Sequence, residues 1–158
     1  MVRVGSGYDI HPLIAGRRLV LGGETIPHGV GLGGHSDADV MLHAVADALL
    51  GAAALEDLGT HFPPGDPRYA DADSRSLLRE VMDKVRGKGW IPVNVDSTII
   101  AQAPRLAPYL PAMRLNIAGD LRIAPDRVSV KAASPEGLGA LGNEKGIAAQ
   151  AVVLLETL

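Results

Sequence analysis

The run from Ser36 to Ala53 leaves little conformational choice. Val40, Val45 and Leu49 recur at helical spacing, and Ser36 or Asp37 can cap the start of the helix. A helix with one apolar face needs a surface to lie on, and the flanking segments read as strands. Val2 to Ile10 alternates apolar with small or polar residues. Leu19-Val20-Leu21 and Glu24-Thr25-Ile26, split by Gly22-Gly23, read as a hairpin. Gly29 to Gly34 holds four glycines in six residues and reads as a flexible loop. Asp73-Ser74 caps a second helix to about Lys88, and a third runs from about Pro108 to Leu121. Val93 to Ala101 is rich in β-branched residues, and Arg127 to Ala132 and Ala149 to Glu156 add two more strands. Leu58 to Asp71, with Pro63, Pro64, Gly65, Asp66 and Pro67, is irregular, and a loop of that length is often functional. The order β-β-β-α-α-β-α-β-β predicts an α+β fold, with a mixed sheet and helices packed on one face.

The 158 residues suit a single domain, residues 1–158, with its own core. Hydrophobic residues make up 47% of the chain and aromatics only 3%, so that core is aliphatic. There is no cysteine, which excludes disulfide and thiol chemistry and leaves nitrogen and oxygen as the only zinc ligands. The net charge of −3 with no basic block argues against nucleic-acid or membrane-surface partners. A phosphorylated small molecule remains compatible, because a few local cations and N–H groups suffice for it. Met1 to Gly5 shows no charged region followed by an apolar run, and no stretch approaches the roughly 20 apolar residues of a membrane span, so a cytoplasmic location is expected.

Asp9 and His11 lie two residues apart in Gly7-Tyr8-Asp9-Ile10-His11. In a strand they point to the same face. Should His43 reach them from its helix, two imidazoles and one carboxylate with an open fourth position would form a catalytic type of zinc site. On spacing alone, the same residues read more readily as surface or satisfied polar groups. Asp39, His43 and Asp47 follow one another at intervals of four and share a helix stripe. Either carboxylate could accept the imidazole N–H that faces away from a metal, or all three could form a solvated face.

Several short segments occur in one order along the chain: Gly5-Ser6-Gly7-Tyr8-Asp9-Ile10-His11, His35-Ser36-Asp37-Ala38-Asp39-Val40-Met41-Leu42-His43, Ala46-Asp47-Ala48-Leu49-Leu50-Gly51-Ala52-Ala53-Ala54-Leu55, Asp57-Leu58-Gly59, Phe62-Pro63, Ala101-Gln102-Ala103-Pro104, and Lys131-Ala132 with Glu136. In that order and spacing they resemble the 2-C-methyl-D-erythritol 2,4-cyclodiphosphate synthase family of the non-mevalonate isoprenoid route. The resemblance implies a homotrimer, with sheets facing the central axis and active sites between subunits. It implies a cytidine diphosphate substrate, 4-diphosphocytidyl-2-C-methyl-D-erythritol 2-phosphate, closed to the cyclic diphosphate with release of CMP.

The resemblance also implies roles. Asp9, His11 and His43 would hold zinc or another divalent metal, and Glu136 a magnesium or manganese ion bridging the substrate diphosphate. His35 and Ser36 match a phosphate-binding pair, and His35 and Ser134 would stabilise the transition state. Asp57 and Gly59 match the sugar-binding segment, and Phe62 and Asp66 also fall among the substrate-binding positions. Ala101 to Ala107, with Ala103, Arg105 and Leu106, matches a cytosine-binding loop read largely through its backbone.

The chain departs from the pattern at several places. Pro64 stands where Asp is common, Arg105 replaces a Lys, Ser134 replaces a Thr, and Pro135 replaces a Thr. Ala140, Asn143 and Lys145 stand where Phe, Arg and Glu are frequent, which puts isoprenoid diphosphate binding on the trimer axis in doubt. Two other functions compete with the cyclase: a phosphodiesterase using metal-bound hydroxide, and a non-catalytic trimer binding isoprenoid diphosphates or partner proteins.

Overall fold

Strand β1 (Val2–Ile14) is thirteen residues long and alternates strictly between exposed and half-buried positions. The computed structural model describes the whole chain, Met1–Leu158. After β1 follow β2 (Leu19–Leu21), β3 (Glu24–Ile26), β4 (Gly31–Leu32), α1 (Val40–Ala52), α2 (Leu58–His61), α3 (Ser74–Gly87), β5 (Trp90–Ile100), α4 (Leu110–Leu121), β6 (Val128–Ala133), α5 (Gly139–Gly142) and β7 (Gly146–Thr157). Five strands form one sheet in the order β4-β1-β7-β5-β6, and β2 and β3 pair separately as the expected hairpin. Within the sheet β5 and β6 run parallel and every other pair is antiparallel. The fold is thus α+β with a mixed sheet.

The odd-numbered face of β1 is where the helix layer lands. A Cβ added at Gly5 would lie 2.1 Å from the Ala48 carbonyl oxygen, and one at Gly7 would lie 1.9 Å from that of Ala44. Real atoms do not approach so closely, so α1 rests directly on the backbone of β1. Two glycines on the strand and two alanines on the helix permit this contact. Val40, Met41, Leu42, Val45, Leu49 and Leu50 are all fully or almost fully buried, and α1 is therefore apolar nearly all round, as a central helix must be. Helix α3 packs its Leu77, Leu78, Val81, Met82 and Val85 into the same core. Asp120 of α4, 3% exposed, accepts bonds from both Arg75 and Arg79 and ties α4 to α3.

The opposite face of the sheet carries no helix. It exposes Val4 (69%), Tyr8 (54%), Ile10 (48%) and Val152 (47%). Strand register places Ser6 beside Val152, and Val152 beside Asp96. The even-numbered face of β1 is therefore continuous with the open faces of β7 and β5.

The helix start differs from the sequence expectation. Neither Ser36 nor Asp37 caps α1. Asp39 does, accepting from the Leu42 amide at 3.1 Å. Ala38 is in the left-handed region at φ 59°, which no helix residue can adopt, so the helix cannot begin before it. Ser36 instead accepts from the Ala38 amide, and Asp37 from the Asp39 amide, in a turn leading into the helix. Asp39 also leaves the stripe assigned to it. It is fully buried and accepts from the Gly22 and Gly23 amides, tying the β2–β3 hairpin to the helix N-terminus.

Two further differences are local. Gly31 and Leu32 pair with Ile14 and Leu13, so the glycine-rich segment contains a strand. The stretch after Leu58 contains the single-turn helix α2, whose N-terminus is capped by Asp57. Both elements are too short to leave a periodic signal.

Gly7→Ala tests the helix–strand contact. The new methyl must push α1 away from β1, and overpacking of this kind costs about 1–3 kcal/mol or more. The expected outcome is a lowered thermal midpoint together with weakened metal uptake, because His43 moves with the helix. A midpoint and metal content equal to wild type would contradict the contact.

Candidate active site

Asp9 and His11 project from the helix-facing side of β1, and His43 from α1 immediately above it. The Asp9 Oδ2 atom lies 3.1 Å from His11 Nε2 and 3.0 Å from His43 Nδ1. One donor atom from each residue falls within 4.8 Å of the others. The strand period brings the first two together, and the glycine contact brings the third.

The outer nitrogens of the two imidazoles decide what the inner ones present. His11 Nδ1 is 2.9 Å from the Gly33 carbonyl, which can only accept, so that nitrogen carries the proton. His43 Nε2 is 2.9 Å from Ser74 Oγ and 3.3 Å from Ser36 Oγ, and the Ser74 hydroxyl in turn donates to Asp37. With both outer N–H groups donated away, His11 Nε2 and His43 Nδ1 turn lone pairs toward the Asp9 carboxylate. Three lone pairs facing one point repel unless a proton or a cation sits among them. This donor set therefore fits a divalent metal, with nitrogen and oxygen ligands of the kind zinc takes.

The two carboxylates expected to orient His43 do not do so. Asp39 is committed to the hairpin amides, and Asp47 accepts from the Leu58 amide at 2.7 Å. The partner is Ser74, at the start of α3, with Asp37 behind it. Neither residue was legible in that role from sequence, because Ser74 lies 31 positions from His43 and looks like an ordinary helix-start residue.

His11, His35, Ser36, His43, Gly59 and Phe62 line one cleft of about 200 Å³, together with Leu58, Pro64, Tyr69 and Leu77. The structure thus brings together His11 and His43 of the expected metal set, the expected phosphate pair His35 and Ser36, and Gly59 of the expected sugar segment. Pro64, one of the departures, sits in the cleft wall. His35 donates from Nε2 to the Asp66 carbonyl at 2.7 Å, and the Asp66 carboxylate pairs with Arg68. The Asp57 carboxylate accepts from the Thr60 amide and hydroxyl.

Ala101, Ala103, Arg105, Leu106, Ser134 and Glu136 are not in this cleft. They occupy two loops beyond the ends of β5 and β6. The Ala101 amide donates to the Ala133 carbonyl at 3.1 Å, and Gln102 accepts from the Gly137 amide at 2.9 Å, so the two loops are held together. Ser134 Oγ accepts from the Glu136 amide at 3.0 Å, which leaves its O–H free to donate. Leu106 is buried in the core. Asp9 and Ile99 both pair with Ala149, so this loop pair and the metal cluster lie at the same end of the sheet. The site residues form two groups at one edge of the chain.

The ionisation of the cluster sets a pH window for the metal-free protein. Burial opposes the Asp9 charge, but hydrogen bonds and charge from His11 and His43 outweigh it and hold the carboxyl down to about 2, against an ordinary 3.8. The hydrogen bond to Asp9 raises His11 above its ordinary 6.5. A depressed carboxylate stabilises the fold above its unfolded value, and that share, roughly 2 kcal/mol, is lost as pH falls from about 4 to about 2. A raised imidazole stabilises below 6.5, and that share is lost as pH climbs through its folded value. Urea unfolding with a chelator present is expected to show highest stability between about pH 4 and 6.5, with loss on both sides. Zinc competes with the imidazole proton, so it should extend the plateau to higher pH.

Comparison with known proteins follows the same outline. The family model described as "YgbB family" matches residues 2–156. A relative from Moorella thermoacetica, named 2-C-methyl-D-erythritol 2,4-cyclodiphosphate synthase, is 62% identical over 98% of this chain and 94% of its own length. The structure of a Plasmodium falciparum IspF in a CDP complex superposes with a TM-score of 0.87 at 34% identity, covering 99% of this chain and 96% of that one. The bifunctional IspDF from Campylobacter jejuni gives a TM-score of 0.96 at 39% identity, where this chain spans all of its own length but 43% of the longer protein. On the match across nearly its whole length, the chain belongs to the YgbB family.

Proposed function

We propose that this protein is a 2-C-methyl-D-erythritol 2,4-cyclodiphosphate synthase of the non-mevalonate isoprenoid route, acting on 4-diphosphocytidyl-2-C-methyl-D-erythritol 2-phosphate. The observation that carries the reading is the convergence of Asp9, His11 and His43 on one point in the wall of a cleft that also holds His35 and Ser36. In the reaction the 2-phosphate oxygen attacks the β-phosphorus. A phosphorus–oxygen bond forms there, the bond to the bridging oxygen breaks, and CMP leaves with that oxygen.

Nucleophile and electrophile belong to one molecule, so the obstacle is charge repulsion and geometry. Holding the substrate in its ring-closing shape can supply roughly 7–11 kcal/mol of the barrier. The phosphate nucleophile is already ionised near neutral pH, since its second pKa is about 6. The residues present are accordingly ligands and hydrogen-bond donors rather than a nucleophile–base pair. Bound by Asp9, His11 and His43, zinc or another divalent cation supplies positive charge against phosphate oxygens. Ser36 adds a hydroxyl in the same cleft, and His35 lines it with its ring anchored on the Asp66 carbonyl. Ser134 has a free O–H for an oxyanion. The backbone of Ala101, Ala103, Arg105 and Leu106 forms the base-recognition loop, and Asp57 and Gly59 meet the ribose. Glu136 offers an exposed carboxylate of the kind that holds magnesium or manganese alongside water and phosphate oxygens. Phe62 lines the cleft, and Asp66, whose carbonyl holds the His35 ring, is a further position for binding substrate.

The two separated groups of site residues support a homotrimer with active sites between subunits. The helix-free sheet face, with Val4, Tyr8, Ile10 and Val152 exposed, supports a trimer whose sheets meet around the axis. No helix is long and apolar enough to cross a membrane, in keeping with a cytoplasmic enzyme.

Phosphorus NMR of the product decides the reaction. Resonances of a cyclic diphosphate with equimolar CMP are expected, whereas a linear hydrolysed product would instead identify a phosphodiesterase. His43→Ala should lose zinc and nearly all CMP release while keeping the far-UV spectrum of the fold. Full zinc occupancy in that variant would contradict the ligand assignment. Sedimentation should give three times the 16.4 kDa chain mass. Val152→Asp places charge on the open face and should yield smaller species with little turnover; an active variant of unchanged mass would rule out that face as the interface.

A further inference from the structure

Arg17 follows β1 and lies outside both groups of site residues. Its guanidinium donates to three backbone carbonyls: Nε to Leu32 at 3.0 Å, Nη1 to Gly34 at 3.2 Å, and Nη2 to Ser36 at 2.6 Å. Those carbonyls alternate along the loop that carries His35 and Ser36. The intervening carbonyls face other partners. Gly33 accepts from the His11 ring at 2.9 Å, and His35 accepts from the Asp71 amide at 2.8 Å. The Asp37 amide closes the far end by donating to the Ala72 carbonyl at 3.1 Å. The loop is thus held from two sides, with Arg17 taking one row of carbonyls. The Gly34 backbone also lies against the His11 ring, where an added Cβ would come within 3.0 Å of Cε1.

We infer that Arg17 is a positioning residue: its planar fork sets the loop that aims His35 and Ser36 and that holds His11 through the Gly33 carbonyl. The inference rests on the proposed reading of His11, His35 and Ser36 as site residues. The physical reason is geometric. A guanidinium presents five N–H donors in a rigid plane, so one side chain can pin three carbonyls along a segment. An ammonium is a compact point charge on a flexible stem and cannot span them. With Leu32 and Gly34 pinned, the Gly33 carbonyl between them is directed at His11. Released, the loop retains the bonds to Asp71 and Ala72, so it loosens without unfolding the domain.

The test compares Arg17→Met, Arg17→Lys and Arg17→Ala with Arg18→Met, which removes an exposed neighbouring cation. Amide exchange at Asp37 and Asp71 is expected to quicken at least about tenfold in the Arg17 variants, including Arg17→Lys, and to stay at the wild-type rate in Arg18→Met. Zinc affinity, read by competition with a chromophoric chelator, should fall about 10–100-fold, as is usual when a group orienting a ligand is lost. In turnover the Michaelis constant should rise and kcat fall together, and millimolar guanidinium should partly restore CMP release to Arg17→Ala where equal sodium chloride does not. Exchange rates and zinc affinity in Arg17→Met within twofold of the Arg18→Met control would overturn the proposal. So would a loss of activity tracking a general drop in thermal midpoint and unresponsive to guanidinium. Should the wild-type protein form no cyclic diphosphate, the proposed reaction fails while the exchange comparison still decides the role of Arg17.

Discussion

The contact of α1 on β1 is the constraint from which the site follows. A helix normally stands off a sheet by the depth of its side chains. Here Gly5 and Gly7 remove that spacing, and Ala44 and Ala48 meet the strand backbone directly. The consequence is short reach: a histidine on the helix comes within 3.0 Å of a carboxylate on the strand. A helix displaced by one methyl diameter would leave His43 too far from Asp9 to share a ligand position.

Reach alone does not make a metal site; direction does. Each imidazole is aimed by the group on its outer nitrogen, a loop carbonyl for His11 and a hydroxyl for His43. Both groups belong to segments fixed by something else. The Gly33 carbonyl depends on a loop held by Arg17 and by the residues preceding α3. The Ser74 hydroxyl depends on Asp37, which itself lies in the turn entering α1. Electrostatics then complete the arrangement. Three converging lone pairs are tolerable only around positive charge, which in the metal-free protein is a proton and which depresses the Asp9 carboxyl far below its usual range.

Much of this was legible in the chain. Alternation marked β1, helical spacing marked α1, the Asp73-Ser74 cap marked α3, and the glycine pair Gly22-Gly23 marked the hairpin. The ordered motifs pointed to the family and, with it, to Asp9, His11 and His43. What failed did so for identifiable reasons. Asp39 and Asp47 share the His43 stripe and so could have met its ring or solvent, and they meet neither as expected, because a stripe specifies direction and not environment. The β2–β3 hairpin covers one carboxylate and α2 engages the other. The capping position was misplaced because a positive φ at Ala38 has no signature in the side chain. Gly31–Leu32 pairs with β1 for only two residues, too few for a period to show.

The sequence by itself determined which residues could bind a metal, which segments had to be strands and helices, and which family they belong to, because residue type, spacing and order are one-dimensional properties. Only the tertiary structure decided that Ser74 and Asp37 orient His43, that Arg17 and Gly33 control the loop beside His11, and that the site residues fall into two groups at one end of the sheet. These depend on groups 15 to 31 positions apart meeting at hydrogen-bond distance. Such meetings are set by how closely layers pack and where backbone carbonyls point, and no pattern of side chains along the chain encodes either.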